Sequence, residues 1–215
     1  MAADYCDAEC VDPKEIVRRG YDLVSRVYRA DDADEGAYAE WLDLIEARVS
    51  AGSRVLDLGC GSGVPVARRL ARRYNLTGVD LSPVQIERAR ELVPGANFIC
   101  GDMTTMTFPH ESFSAVSCLY ALIHVPLAEQ PELLASVRRW LQPGGLFLAT
   151  VGHTAWTGLE KDWLGVMGGD MWWSHADADT YRRWLADAGL NVERETFVPE
   201  GASGHTFVVA TRPNP

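Results

Sequence analysis

Three alternate glycines and one acid give the strongest chemical signal in this chain of 215 residues. Asp57 lies within a short apolar run, and Gly59, Gly61 and Gly63 follow it at two-residue spacing. Glycines in such a turn allow positive φ angles and let a ligand approach the main chain closely. A carboxylate beside them would repel a pyrophosphate and would suit a ligand that carries positive charge. The pattern therefore favours a cationic ligand without phosphate.

A dinucleotide is the alternative ligand for a glycine-rich turn of this kind. The dinucleotide pattern G-x-G-x-x-G uses its last glycine for close packing of helix on strand, and Val64 occupies that position here. Val64 and Asp57 both oppose a nicotinamide-dependent oxidoreductase, which is the alternative among enzymes.

The run Val55-Leu-Asp-Leu-Gly-Cys-Gly-Ser-Gly63 resembles the first motif of the class I S-adenosylmethionine-dependent methyltransferases. Their cofactor carries a sulfonium and an ammonium, which agrees with the charge preference of Asp57. The resemblance extends over residues 53–212 and implies S-adenosylmethionine as the cofactor. A protein of the small-molecule type is implied, because the runs that mark members acting on nucleobase or amide nitrogens are absent after the fourth predicted strand. A binding protein that keeps the cofactor pocket without methyl transfer is the alternative from a different class.

Two further acids follow predicted strands. Asp80 lies about 20 residues beyond the first glycine, the interval at which an acid meets a ribose diol in nucleotide-binding folds. The resemblance places Asp102 against the adenine amino group and Met103 over the ring. With the positions that the resemblance adds, the predicted cofactor-binding residues are Tyr21, Tyr28, Asp57, Gly59, Cys60, Gly61, Asp80, Leu81, Gln85, Asp102, Met103, Leu119 and Tyr120.

Three histidines are the candidates for proton transfer, because histidine titrates near neutral pH. His124 follows the fourth predicted strand and is the best placed of them. His153 follows the fifth strand, and His205 opens the last one. A base is needed only if the acceptor must lose a proton, so packing roles stay open for all three.

Residues 151–176 fit no regular period and combine tryptophans with glycines. Aromatic density with flexible joints predicts an insertion that covers the substrate, and packing of this insertion on the sheet edge is the alternative. The insertion favours an apolar or aromatic acceptor, and transfer to oxygen or nitrogen is the chemistry that we expect. The predicted substrate-binding residues are Trp156, Trp163, Met167, Trp172, Trp173 and His175.

Apolar periodicity and turn signals predict one α/β domain over residues 1–215. Helices are predicted over 12–30, 35–49, 83–92, 129–141 and 177–188, with another after the glycine turn. Strands are predicted over 55–58, 76–80, 97–101, 113–119, 142–150, 191–198 and 205–211. This order predicts a seven-stranded, mostly parallel Rossmann-like sheet with helices on both faces and a C-terminal antiparallel hairpin. Residues 1–50 are predicted to form a helical lid.

The net charge of −10 disfavours a nucleic-acid partner, because an acidic surface repels phosphate. No apolar stretch approaches the roughly 18 residues that a membrane helix needs, so no membrane association is predicted. The first residues lack a basic region followed by an apolar one, and we therefore expect a cytoplasmic protein. The oligomeric state and the identity of the acceptor are left open.

Five cysteines are scattered along the chain, at Cys6, Cys10, Cys60, Cys100 and Cys118. Cys6 and Cys10 share one face of a predicted helical turn, but no second pair follows at the spacing of a zinc site. Reduced thiols and the absence of a metal are therefore predicted.

Overall fold

The computed structural model of the protein describes residues 12–201 and 203–215. Cys6 and Cys10 lie outside the described residues. The helices are α1 (Pro13–Tyr28), α2 (Tyr38–Arg48), α3 (Val66–Leu70), α4 (Pro83–Leu92), α5 (Gln130–Trp140) and α6 (Ala178–Asp187). The strands are β1 (Arg54–Leu58), β2 (Asn75–Asp80), β3 (Asn97–Cys100), β4 (Phe113–Cys118), β5 (Leu141–Gly152), β6 (Trp156–Glu160), β7 (Met171–His175), β8 (Asn191–Glu200) and β9 (Ser203–Thr211).

Seven strands form the central sheet, in the order β3-β2-β1-β4-β5-β9-β8. The first five pair in parallel, and β9 pairs antiparallel with both β5 and β8. Strand β1 therefore lies inside the sheet, between β2 and β4. The order reverses at β1, and in open α/β sheets ligands bind beyond the carboxyl ends of the strands at such a point.

Alternate side chains of β1 point to opposite faces of the sheet. Leu56 and Leu58 enter a core with α5 and α6, whereas Val55 enters a second core with α2, α3 and α4. Helices thus cover both faces. The predicted fold class is confirmed, including the antiparallel hairpin of β8 and β9.

The prediction for residues 151–176 was wrong in one respect, because regular structure is present there. Strand β5 continues to Gly152, and β6 pairs antiparallel with β7 in a separate two-stranded sheet. Cross-strand pairs such as Trp156 with His175 and Leu159 with Trp172 stabilise this hairpin. Gly158 interrupts the alternation on β6, and β7 carries two adjacent tryptophans, so the sequence does not show a two-residue period.

Helix α1 is anchored to α4 by a buried arginine. Arg88 donates to the carbonyl oxygen of Ser25 at 2.7 Å, to Ser25 Oγ at 2.6 Å and to the carbonyl oxygen of Arg29 at 2.8 Å. It also forms an ion pair with Asp31. These bonds satisfy backbone and side-chain groups at the end of α1 and hold that end in place. Across residues 12–201 and 203–215, no helix is both long and apolar enough to cross a lipid bilayer.

The glycine turn yields a matched pair of stability tests. A Cβ at Gly59 would lie 2.1 Å from Ala121 Cβ, whereas a Cβ at Gly61 would meet nothing within 4 Å, and both residues have positive φ. We expect Gly59→Ala to lower the free energy of unfolding by about 2–4 kcal/mol and Gly61→Ala by only about 1 kcal/mol. Urea denaturation measures both values, and equal losses would contradict the packing role of Gly59.

Candidate active site

Four adjoining cavities surround the carboxyl ends of the strands. The first, here named the turn cavity, lies between the glycine turn and the end of α1. Its lining includes Tyr28, Arg29, Tyr38, Asp57, Gly59, Cys60, Gly61, Gln85 and Leu119. Glycine at position 61 leaves the main chain open on this side, because no atom would touch a Cβ there. A ligand can therefore approach the main chain of the turn directly.

Asp57 places a buried acid in the wall of the turn cavity. One carboxylate oxygen accepts a hydrogen bond from Ser117 Oγ at 2.7 Å, and the other is buried without a hydrogen-bond partner. Burial raises the pKa of the Asp57 carboxyl to about 7. A buried acceptor without a partner stabilises a bound N–H donor or cation.

Asp80 ends β2 and ties the glycine turn to the start of α4. Its carboxylate oxygens accept from the backbone N–H of Gly61 at 2.8 Å and of Ser82 at 2.9 Å. Burial raises the pKa of Asp80 to about 6. Each carboxylate oxygen keeps acceptor capacity beyond these bonds, which suits a pair of hydroxyl donors.

A second cavity, the edge cavity, lies on the other side of Asp80. Its lining includes Lys14, Val17 and Tyr21 of α1 together with Gly59, Asp80, Leu81, Asp102, Met103, Ala121 and His124. The turn and edge cavities meet at Gly59. Two buried acids, an open glycine turn and an apolar slot beside Met103 fit a cationic nucleoside such as S-adenosylmethionine.

Lys14 bonds directly to one of the predicted adenine contacts. Its Nζ lies 2.6 Å from Asp102 Oδ2 and 2.8 Å from Thr104 Oγ1, and it also pairs with Glu129. The other oxygen of Asp102 accepts from Thr104. Asp102 therefore links α1 to the loop after β3 within the protein itself.

The third cavity, the inner cavity, is separated from the edge cavity by a tyrosine and a histidine. Its lining comprises Tyr21, Tyr28, Arg29, Tyr38, Tyr120, Ile123, His124, Trp163, Trp173, Glu200 and His205. Tyr120 adopts a φ of +55°, which is uncommon outside glycine, and its amide donates to Thr150 Oγ1. This bond helps to hold Tyr120 in place just after the C-terminal end of β4.

Tyr21 and His124 form a neutral pair in the wall between the edge and inner cavities. His124 Nδ1 lies 2.8 Å from the carbonyl oxygen of Trp172 and therefore carries the proton, because a carbonyl only accepts. Nε2 then accepts from the Tyr21 hydroxyl at 3.0 Å. Burial lowers the pKa of His124 to about 4 and raises the pKa of Tyr21 well above its usual value. Both groups stay uncharged near neutral pH.

His205 faces a carboxylate in the same cavity. Its Nδ1 lies 3.2 Å from Glu200 Oε2, and its ring packs edge-on against Tyr120. Trp173, Glu200 and His205 also line the fourth cavity, the outer cavity. The other described residues around the outer cavity are Thr154, Ala155, Trp156, Glu160, His175, Ser203 and Gly204. The inner and outer cavities thus adjoin each other at these three residues.

The structure brings most of the predicted site residues together. All thirteen predicted cofactor residues line the turn, edge or inner cavity. His124 and His205 line the inner cavity, as do Trp163 and Trp173, while Trp156 and His175 line the outer cavity. Three predicted residues do not line these four cavities: His153, which packs on Phe197; Met167, which is 90% exposed; and Trp172.

Several lining residues were not predicted from the sequence. Arg29 lies just after the end of α1, and its position at the turn cavity depends on how α1 packs. Glu160 and Glu200 lie near strand ends in segments without a recognisable motif. A sequence signal was available only for Tyr38, because it belongs to an apolar helical stripe.

Comparisons with known proteins agree with this geometry. A family model described as a methyltransferase domain matches residues 55–145. An uncharacterized methyltransferase of Synechocystis sp. is 28% identical over 199 residues, which cover 90% of this chain and 91% of that relative. A sterol 24-C-methyltransferase of Gibberella zeae is 34% identical over 129 residues, which cover 52% of this chain. The chain spans about a third of that relative's length, at 33%.

A solved structure shows the same fold. It is the Burkholderia thailandensis 1,6-didemethyltoxoflavin-N1-methyltransferase, determined with 1,6-didemethyltoxoflavin and S-adenosylhomocysteine bound. The TM-score is 0.72 at 18% sequence identity, and the alignment covers 100% of this chain and 99% of the other.

The buried acid of the turn cavity leads to a pH-dependent stability prediction. Asn at position 57 keeps an acceptor for Ser117 and removes the charge. Because the folded-state pKa of Asp57 is raised to about 7, the wild-type protein loses stability as pH rises from about 4 to about 7. The free energy of unfolding of Asp57→Asn, relative to that of wild type, should therefore rise by about 1–3 kcal/mol between about pH 5 and about pH 8. Urea denaturation at both pH values checks this, and a pH-independent difference would contradict it.

Proposed function

Because the chain belongs to the class I S-adenosylmethionine-dependent methyltransferases, we propose that it transfers a methyl group to oxygen or nitrogen of a small-molecule acceptor. The acceptor has an apolar or aromatic body. One observation carries the proposal: the Tyr21–His124 pair lines both the edge cavity and the inner cavity, so a single wall separates a cofactor space from an acceptor space.

The turn and edge cavities would hold the cofactor. Asp80 would accept the ribose hydroxyls, and the unpartnered oxygen of Asp57 would attract the positive end of the methionine part. Arg29 is the cation among the described residues of the turn cavity, and it would meet the carboxylate of the same ligand. Met103 would pack on the adenine ring.

The inner and outer cavities would hold the acceptor. The outer cavity, of about 410 Å³, falls in the range of roughly 300–1,000 Å³ that small-molecule sites occupy, and the inner cavity of about 240 Å³ adjoins it. Tyrosine and tryptophan rings dominate the inner wall, and such rings bind planar apolar ligands well. Enclosure by these rings excludes water and aligns the acceptor atom with the wall that it shares with the cofactor space.

S-adenosylmethionine supplies an activated methyl carbon, so the protein has mainly to align the acceptor and remove its proton. His205 would take that proton, since Glu200 lies close enough to stabilise the imidazolium that results. His124 would act differently, because burial keeps it neutral and its Nε2 already accepts from Tyr21. We therefore assign His124 to positioning Tyr21, and the Tyr21 oxygen to orienting the acceptor.

Formation of S-adenosylhomocysteine with a panel of phenols, amines and heteroaromatic acceptors tests the proposal. Methylated product from any member of the panel would support it. Cofactor binding without turnover over the whole panel would instead indicate a binding protein. Tight binding of a nicotinamide dinucleotide, with none of S-adenosylmethionine, would indicate an oxidoreductase.

Loss of the carboxylate that accepts hydrogen bonds from the ribose hydroxyls should weaken cofactor binding. We expect Asp80→Ala to reduce the affinity for S-adenosylhomocysteine by about 1–3 kcal/mol, because charge-assisted hydrogen bonds to two hydroxyls are removed. Isothermal titration calorimetry gives the value. Glu87→Ala is the matched control, since Glu87 is an exposed acid of α4 away from the cavities. Equal affinities of the two variants would remove Asp80 from the cofactor site.

The two histidines should respond differently to substitution. His205→Gln should lower kcat by about 100-fold or more and abolish its rise with increasing pH, because the proton acceptor is lost. His124→Gln should lower kcat less and keep the shape of the pH profile, because only the orientation of Tyr21 changes. Steady-state kinetics of both variants over a range of pH makes the comparison. A pH profile altered in His124→Gln alone would reverse the assignment.

A further inference from the structure

We propose, on the basis of the function proposed above, that the acceptor carries a protonated amine and that the outer cavity binds this amine. Two carboxylates, Glu160 and Glu200, line the outer cavity together with the indole rings of Trp156 and Trp173. Among the described residues that line it, none is a lysine or an arginine. A cavity with aromatic walls and acidic groups, and without a competing cation, is suited to an ammonium group.

The tryptophans and one of the acids are held in a fixed arrangement. The ring centroids of Trp156 and Trp173 lie 6.2 Å apart, with their planes 36° from parallel. Trp173 Nε1 donates to Glu160 Oε2 at 3.0 Å, which holds the carboxylate beside the indole ring. Because these residues lie on the paired strands β6 and β7, the register of the hairpin sets their spacing.

Two histidines line this cavity, and one of them, His175, does not supply a competing positive charge. His175 Nδ1 lies 2.8 Å from the carbonyl oxygen of Thr154 and therefore carries the proton of the neutral ring, which leaves Nε2 as an acceptor. Burial lowers the pKa of His175, so the ring is neutral near physiological pH. A neutral imidazole adds a further acceptor to the two carboxylates.

The cation of the inner cavity, Arg29, does not line the outer cavity. The Arg29 guanidinium lies over the rings of Tyr28 and Tyr38, at 5.3 and 5.2 Å from their centroids, and donates to the Tyr38 hydroxyl. These three residues also line the turn cavity, whereas the outer cavity shares Trp173, Glu200 and His205 with the inner one. The guanidinium thus lies where the inner and turn cavities adjoin, and the outer cavity has carboxylates and no guanidinium among its described lining residues.

This distribution of charges would orient an acceptor that occupies both the inner and the outer cavity. The ammonium would lie between the indoles and the carboxylates, and the methylated atom would lie in the inner cavity next to His205 and the Tyr21–His124 wall. The amine in the outer cavity is thus a recognition group and not the atom that receives the methyl group.

Three phenols that differ only in their tails test the proposal directly. Tyramine has an ammonium tail, 4-ethylphenol a neutral one and 3-(4-hydroxyphenyl)propionate a carboxylate. Calorimetric titration of the full chain with S-adenosylhomocysteine bound should give an affinity for tyramine about tenfold higher than for 4-ethylphenol, with the carboxylate weakest. The preference should shrink as salt concentration rises, because the outer cavity is partly open to solvent.

Charge-removing variants locate the effect. Glu160→Gln can keep an acceptor for Trp173 Nε1 and should reduce the preference for tyramine over 4-ethylphenol severalfold, and Glu200→Gln should do the same. Glu132→Gln is the matched control, because Glu132 is an exposed acid of α5 that lies outside the four cavities. Unchanged affinity for S-adenosylhomocysteine shows that each variant is folded.

Equal binding of the three phenols, a preference for the carboxylate, or no binding of tyramine would each overturn the amine proposal. So would an equal effect of Glu132→Gln and Glu160→Gln on the preference. None of these results affects the proposed methyl transfer, which fails separately if wild-type protein does not bind S-adenosylhomocysteine.

Discussion

Two carboxylates buried against one glycine turn set the constraint on which the rest of the site depends. Burial raises the pKa of Asp57 to about 7 and that of Asp80 to about 6, and the two charges also repel each other. Ionised carboxylates in such surroundings are stable only with cationic or hydrogen-bonding partners. Asp80 finds partners in the backbone of Gly61 and Ser82, whereas one oxygen of Asp57 finds none within the protein. A cationic ligand supplies what this arrangement lacks.

The remaining elements arrange a second space around the first. Helix α1 lines the edge cavity and contributes Tyr21 to the shared wall. Partly buried ion pairs of Lys14 hold one end of the helix, and buried hydrogen bonds from Arg88 hold the other. The β6–β7 hairpin contributes Trp173 to the inner and outer cavities and Trp156 to the outer one. In the proposed function, strand ends of the central sheet would recognise the cofactor, and the elements added to that sheet would recognise the acceptor.

The parts that could be predicted from the sequence are those that depend on local rules. Glycine spacing, an acid at a strand end and apolar periodicity are properties of short segments. Strand β1, the glycine turn and the position of Asp80 could therefore be predicted from the sequence. Contacts between distant segments were not. Lys14 and Asp102 meet across 88 positions of the chain, and no pattern near either residue indicates the other. Likewise, the placing of Glu200 beside His205 depends on the register of β8 with β9. The burial that lowers the pKa of His124 is not visible in the sequence either.

If ionised Asp57 and Asp80 bind a positively charged sulfur compound, as proposed, protons should be released when that compound binds. Titration calorimetry with S-adenosylmethionine at about pH 6.5, in buffers of different ionisation enthalpy, measures the protons exchanged. In the ligand-free protein both carboxyls are partly protonated at this pH, and a bound cation favours their ionised forms. We predict net release of protons, and more with S-adenosylmethionine than with S-adenosylhomocysteine, which lacks the sulfonium charge. Proton uptake, or no binding of S-adenosylmethionine, would show that ionised Asp57 and Asp80 do not bind the sulfonium compound.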